Sequence, residues 1–578
     1  KRPWAKTEAE LADRWRKSLK LQVLQRVALM EDILAAADKA QPVDSDGDGD
    51  TDKDDEIAAK RLGEIPKTPE ERERKAREDL AKSFAGRFKR LAQVDPLEPA
   101  EMFLNSVTEA YDPHTQYLAP ADKEDFDIAM SGSLEGIGAL LVEDDHYIRV
   151  QELVPGGPSW RQGKLQAGDL ILAVAQGKDG EPVDVADMRI KEVVKMIRGP
   201  KGTVVTLTVK KPDDTIQVIS ITRDVIEIEA AYARGAVLDR GDGSPPIGYI
   251  ALPSFYGDTR RGGTVTGRNA PDDVRALLRE LSARKVAAVV LDLRGNGGGL
   301  LDHARDITGM FIRTGPVVAT RYGNGSTQVL TDDDPDIAYA GPVVVMVDRF
   351  SASASEILAG ALQDYGRAVV VGTSATHGKG TVQVLIDLDR VAGRPRAPLG
   401  VVKLTIQQFF RVNGESTQLR GVVPDIALPD PAAYVKSGER FLDHAIPWSR
   451  IDALDYRRWT GARWQIDRLR AASEARQANE PVFAKVVERA AYLKQRLEQT
   501  RMPLQRDKWL ARRAADKAKL DDVDLDWTKG PARFTVTVID YAHTPGSSEA
   551  AAEWRDNAAR DPWLDEAARI AADMAAAK

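Results

Sequence analysis

At 578 residues the chain is too long for one hydrophobic core, and three or four domains are expected. Its 43% hydrophobic and 30% charged residues are those of an ordinary soluble protein, its net charge of −7 argues against a nucleic-acid partner, and no run approaches the ~18 apolar residues of a membrane span. The absence of cysteine excludes disulfides, thiolate catalysis and cysteine zinc sites, and fits either redox compartment.

The chain opens on Lys1 rather than Met, as a mature or trimmed product would. Residues 1–128 read as a helical domain. Thr7-Glu8-Ala9-Glu10 has the pattern of a capping box. Leu11, Trp15, Leu19, Val23, Val27, Met30 and Leu34 then recur at helical spacing, and a second helix is predicted from Pro69 to about Leu91. Between them lies an acidic loop. Counted from Asp44, side-chain oxygens fall at positions 1, 3, 5, 9 and 12, with Gly49 at position 6. Asp44, Asp46, Asp48, Asp50, Asp52 and Asp55 thus have the spacing of a Ca2+ loop, with Asp55 where Glu is usual. A solvated acidic linker would read the same way.

Residues 129–223 carry strand patterns at Tyr147–Leu153 and Leu170–Ala175, a helix pattern at Val185–Ile197 and a strand at Val204–Val209. Gly136-Ile137-Gly138-Ala139-Leu140 precedes them. With that order behind it, the segment resembles a PDZ domain. The resemblance implies that backbone N–H groups of this glycine turn cradle a peptide C-terminal carboxylate while an edge strand pairs with the peptide.

From 224 to 430 strands and helices alternate, as in an α/β core. Ile247–Leu252 is a strand, Asp272–Arg284 a helix, and Val286–Leu293 a buried strand that runs into Arg294-Gly295-Asn296-Gly297-Gly298-Gly299. A glycine cluster after a buried strand lets backbone approach something closely. Neither the Walker spacing nor G-x-G-x-x-G is present, so a phosphate loop is the weaker reading.

The most informative stretch is Val343–Gln383. A β-branched run, Val343–Val347, leads through Asp348-Arg349-Phe350 into Ser351-Ala352-Ser353-Ala354-Ser355 and a helix pattern. A second apolar strand, Ala368–Val371, returns to Gly378-Lys379-Gly380. Small residues at a strand-to-helix turn leave a hydroxyl uncrowded, and the helix N-terminus offers free N–H groups to an anion. A lysine can serve as base to that serine if burial lowers its pKa to ~7–8. A tight packing turn beside a solvated lysine is the plainer reading of spacing alone.

SASASEILAGALQDYGRA followed by GKGTVQ resembles the signature of the C-terminal processing, or tail-specific, proteases. The resemblance implies Ser353 as nucleophile, Lys379 as base and Gln383 as the residue that orients it. It implies the N–H groups of Gly299 (or Gly298) and Ala354 as oxyanion donors. The loop 373–377 is one residue longer than the family pattern, which has an aromatic at His377. His377 also raises a Ser-His alternative, although no G-x-S-x-G elbow accompanies it. Asp364, near the end of the helix, is either relevant to the site or a surface acid. Asp112-Pro113-His114-Thr115-Gln116-Tyr117-Leu118 resembles a segment that precedes the PDZ domain in long, periplasmic members, with His114 structural.

Residues 431–578 are charged, Ala-rich and mostly helical, with long patterns at Ile466–Met502 and Glu549–Ala576, the second broken at Pro562, and a strand at Phe534–Val538. The expected architecture is multidomain α+β: a crotonase/ClpP-like α/β serine protease core with an inserted PDZ domain, between mostly helical N- and C-terminal domains. The resemblance implies a periplasmic bacterial endopeptidase that needs no cofactor, takes protein substrates by apolar C-termini and works on envelope proteins, with a lipoprotein adaptor as a further partner. The rivals are an acyl-CoA enzyme on a related fold and a PDZ scaffold with an inactive core.

Overall fold

The computed structural model describes residues 4–37, 65–92, 97–144, 147–257, 267–393, 395, 397–461, 464–523, 527–541 and 549–577. They form two units, residues 1–98 with 495–523, and residues 99–494 with 524–578.

The first unit is helical. Helix Glu8–Ala37 carries the predicted stripe, and helix Pro69–Ala92 lies against it, with Trp15 edge-on to Phe84 at 5.9 Å. A third helix, Arg506–Asp522, joins from the far end of the chain through Arg506–Glu31 (2.6 Å).

The second unit is built on a seven-stranded sheet. Its order is Ile426–Ala427, Val369–Gly372, Val343–Val347, Val289–Asp292, Ile247–Ala251, Arg234–Asp239 and Thr535–Val538. The first five strands are parallel, and Arg234–Asp239 runs antiparallel to both of its neighbours. Every residue of Val289–Asp292 and Val343–Val347 is buried, as a parallel sheet covered on both faces requires. Helices Ala270–Ala283, Leu301–Gly309 and Ala354–Asp364 cover one face. Helices Ile466–Gln477 and Pro562–Ala576 cover the other. The C-terminal stretch thus supplies the core sheet with an edge strand and the cover of one whole face. A second, antiparallel sheet contains Gly315–Tyr322, Thr381–Asp387 and Val401–Phe410, and the last of these pairs with Gln116–Leu118.

The PDZ domain leaves this unit through a two-stranded neck, Ser133–Gly136 against Asp224–Glu227. Its main sheet runs Ala139–Asp144, Tyr147–Leu153, Leu170–Gln176, Val204–Lys210 and Ile216–Thr222, around a core that includes Ile148, Ile171, Leu207 and Ile221. The mixed α/β core, inserted PDZ domain and helical ends agree with the expected fold. Two elements differ. The PDZ helix is only Ile190–Ile197, because Val185–Arg189 is a turn with Asp187 at φ 60°. The pattern Ile466–Met502 is two helices, Ile466–Gln477 and Pro481–Glu498, since Pro481 lacks the N–H a continuous helix would need.

Candidate active site

Both loops of the site leave the C-terminal ends of adjacent parallel strands, where α/β sheets place their ligands. After Val343–Val347 the backbone turns sharply into helix Ala354–Asp364, and Ser353 sits at the corner with φ 56° and ψ −113°. That conformation is sparsely populated for a side-chain-bearing residue and costs on the order of 1–3 kcal/mol. Its surroundings hold it in place. Ala352 N–H donates to Asn296 O (3.0 Å), and Ser355 Oγ donates to the same carbonyl (2.9 Å). Ser351 Oγ donates to Leu293 O (2.8 Å), and Ser353 N–H donates to Glu356 Oε2 (2.8 Å). The small residues of the Ser/Ala run are therefore packing against the glycine loop. A Cβ on Gly298 would lie 2.8 Å from Ser353 Cβ.

The glycine loop separates the two oxyanion candidates. Gly298 N–H is already given to Asn296 Oδ1 (2.8 Å). Gly299 forms a parallel bridge with Phe255 in which Phe255 N–H donates to Gly298 O and Leu300 N–H donates to Phe255 O. That pattern leaves out the Gly299 N–H. Among the described residues neither it nor the Ala354 N–H has an acceptor. Gly299 is at φ 147°, and a Cβ there would fall 2.4 Å from Phe255 O.

Lys379 lines the same cavity as Ser353, a space of about 540 Å3 also bounded by Gly297–Gly299, Ala354 and Gln383. Its flanking glycines are set by close approach: a Cβ on Gly378 would meet Leu419 C at 3.0 Å, and one on Gly380 would meet Ser416 Oγ at 2.7 Å. Burial brings the lysine down to about 8, with the neighbouring Lys403 ammonium next in effect. Gln383 lies on the cavity wall, where its Nε2 donates to Thr381 Oγ1 (2.9 Å) and Thr405 Oγ1 (3.2 Å). Among the described residues its hydrogen bonds run to these hydroxyls rather than to Lys379.

Several participants were not singled out from the sequence. Glu356 is fully buried and joins the two halves of the site. Beyond Ser353 N–H it accepts from Thr376 Oγ1 (2.6 Å), Gly378 N–H (2.7 Å) and Lys379 N–H (3.0 Å). Burial pushes its carboxyl up to about 7 against the pull of those four donors. The S-x-x-E spacing from Ser353 was the available signal. Phe126, Ala129 and Met130, from helix Pro120–Ser131, also wall the cavity. The segment after Asp112 acts as a prop. Asp112 Oδ1 accepts from Thr405 Oγ1 (2.9 Å), the hydroxyl that receives Gln383. His114 Nε2 meets buried Glu439 (2.8 Å), which accepts from Gln418 Nε2 (2.9 Å), while Gln418 Oε1 accepts from Gly380 N–H (2.7 Å).

His377 is not among the residues lining the cavity; its Nδ1 lies 3.9 Å from Glu439. Asp364 is not a surface acid: it is buried and paired with Arg411 (2.6 Å) and Asn413 (3.1 Å), away from the cavity.

In the PDZ domain Gly138 has φ 74°, and Ala139–Asp144 is the edge strand of the sheet. Leu140 is half exposed, and the N–H groups of Ile137 and Gly138 have no acceptor among the described residues. The calcium-loop candidates Asp44–Asp55 lie outside the described residues. Among the described residues no group of three or more His, Asp or Glu is placed to hold a metal, and no helix is long and apolar enough to cross a membrane.

Comparison with known proteins agrees in order along the chain. Residues 1–121 match the tail specific protease N-terminal domain, 126–210 the PDZ domain, 246–428 peptidase family S41, and 432–576 the C-terminal domain of tail specific protease. A tail-specific protease of Haemophilus influenzae is 34% identical over 500 residues, covering 86% of this chain and 68% of the relative. A carboxy-terminal-processing protease of Bartonella bacilliformis is 32% identical over 342 residues, covering 57% and 70%. The solved PDZ domain of a carboxy-terminal protease from Vibrio cholerae is 42% identical, covering 16% of this chain and 98% of that domain with a TM-score of 0.16.

Proposed function

Since the chain belongs to the tail-specific proteases of peptidase family S41 and is a serine-type peptidase with a PDZ domain, we propose that it cleaves proteins with a Ser353–Lys379 dyad after capturing their apolar C-termini. The observation that carries this reading is the presence of the strained Ser353 and the buried Lys379 on one cavity, with two N–H groups unclaimed beside them.

Ser353 Oγ attacks the scissile carbonyl, and Lys379 Nζ takes the hydroxyl proton. A lysine of pKa about 8 is partly neutral at neutral pH and mostly so at mildly alkaline pH. The oxyanion that forms accepts from Gly299 N–H and Ala354 N–H, the latter at a helix N-terminus. Lys379 then gives the proton to the leaving amine, and the acyl-enzyme is hydrolysed by water that Lys379 activates in turn. Gln383, anchored by Thr381 and Thr405, steadies the wall beside the base. The turn Gly136–Leu140 takes the substrate's terminal carboxylate, and the open edge of Ala139–Asp144 pairs with its last residues. In this reading the protein acts in the bacterial periplasm on envelope proteins, with a lipoprotein adaptor.

The test is cleavage of a folded reporter with a short apolar C-terminal tail by the protein, Ser353→Ala and Lys379→Ala. Cleavage by the unmutated chain alone, with a charged tail spared, supports the reading. Equal cleavage by the variants overturns the dyad. A tail that binds but is never cut, with or without envelope lipoproteins added, leaves only a scaffold.

A further inference from the structure

The wall of the catalytic cavity holds a second lysine. Lys403 lies on strand Val401–Phe410, opposite Leu385 on one side and Gln116 on the other. It lines the cavity with Ser353 and Lys379. Gln383 is opposite Thr405 two positions along, so Gln383, Leu385, Lys403 and Thr405 share one face of the paired strands.

The charges around Lys379 are unequally committed. Glu356 faces it from the nucleophile helix, Glu439 from the segment after the core, Asp112 from the prop segment and His377 from its own loop. Glu356 accepts from four donors, Glu439 from His114 and Gln418, and Asp112 from Thr115, Thr405 and the His114 N–H. Burial favours the neutral form of His377. Among the described residues the one carboxylate that lines the cavity, Asp302, has a 69% exposed side chain turned to Arg305 (3.4 Å). The cation beside the base, by contrast, is held in place: Lys403 Nζ donates to Gln116 Oε1 (2.9 Å), and although burial lowers its pKa, the Asp112 carboxylate pulls the other way.

We propose that Lys403 is a positioning residue for the hydrolysis, whose fixed ammonium on the cavity wall keeps Lys379 unprotonated and able to accept the Ser353 proton. The inference rests on the dyad proposed above. A like charge across a cavity disfavours protonation of its neighbour, and the effect grows as less water lies between them.

The experiment follows phosphonylation of Ser353 by a fluorophosphonate from pH 6 to 11, as a rate constant per site, so that a poorly folding variant still reports. Lys403→Met should move the acid limb upward by about 0.5–1 pH unit, a three- to tenfold slower reaction at pH 7, with the alkaline plateau kept. Lys403→Arg retains the charge and should restore the limb to its original place. An unmoved limb in Lys403→Met overturns the inference, as does a limb that moves equally in Lys403→Arg, which would mark a packing effect. If Lys403→Met instead raises KM only for peptides with an acidic residue near the scissile bond, Lys403 binds substrate and the inference is overturned. Lys379→Ala separates the two readings. Labelling at an unchanged rate in that variant defeats the dyad itself, whereas its loss together with an unmoved Lys403→Met limb defeats only the role of Lys403.

Discussion

Two loops of this protein carry backbone N–H groups with no acceptor among the described residues, and they are built in opposite ways. The PDZ turn at Ile137–Gly138 lies at the open edge of a sheet, beside the half-exposed Leu140. The pair at Gly299 and Ala354 opens on a cavity walled by Phe126, Met130, Ile357 and Phe409. A peptide carboxylate is charged before it arrives and stays partly hydrated at an edge, so each N–H there is worth an ordinary charge-assisted bond of ~1.5–3 kcal/mol. A tetrahedral oxyanion exists only in passing, and donors already aimed at it are worth ~2.7–4 kcal/mol each. The backbone differs accordingly. The PDZ turn needs one left-handed glycine, whereas the catalytic corner needs Gly298 and Gly299 at positive φ together with a serine at φ 56°. The strained non-glycine residue is thus at the Ser353 corner, and the PDZ turn carries none.

The largest expected effect breaks the comparison outright. Ser353→Ala or Lys379→Ala should reduce reporter cleavage by about 10³-fold or more, since residues that act as a unit fail together. Tail affinity, measured by calorimetry, should stay as it was, because the PDZ loop is a separate device. Next comes the oxyanion corner. Gly299→Ala places a Cβ 2.4 Å from Phe255 O, and kcat/KM should fall about 10²–10³-fold. Thermal unfolding of the same variant distinguishes a lost donor from a lost fold.

The pH dependence sharpens the contrast. Lys379 must be neutral to accept a proton, and burial brings it down to about 8. Cleavage under kcat/KM conditions should therefore fall about tenfold per pH unit below that value and level off above it, whereas tail binding should show no inflection there. The smallest effect belongs to the edge. Gly138→Ala puts a side chain at φ 74°, with its Cβ 3.2 Å from Gly157 Cα. At ~1–2 kcal/mol for the left-handed backbone, tail Kd should rise about five- to thirtyfold.

The legible parts of the site were those written in local sequence. The Ser/Ala run, the glycine cluster after a buried strand and the Gly-Lys-Gly return lie within short windows, and each is enforced by local backbone geometry or close approach. The PDZ segment was legible through the order of its strands. Glu356, Asp364 and Lys403 were not, because a charged residue in a sequence reads as exposed until its neighbours are known. Asp364 illustrates this: only the approach of Arg411 and Asn413 turns a helix-end acid into a buried ion pair. The prop formed by Asp112, His114, Glu439 and Gln418 was hidden for the same reason, since its hydrogen bonds join four separate parts of the chain.

What the sequence by itself determined was most of the elements and the candidates for the reacting groups. Short apolar runs, glycines and small residues act over a few neighbours, so their consequences can be read without a fold. What only the tertiary structure decided was environment. It buried Lys379 on one cavity with Lys403, assigned the Gly298 N–H to Asn296 and left that of Gly299 unclaimed among the described residues. It also set Thr535–Val538 beside Arg234–Asp239, at the edge of the sheet that carries the site. Desolvation, strand pairing and hydrogen-bond competition depend on which distant residues arrive, and no local pattern encodes that arrival.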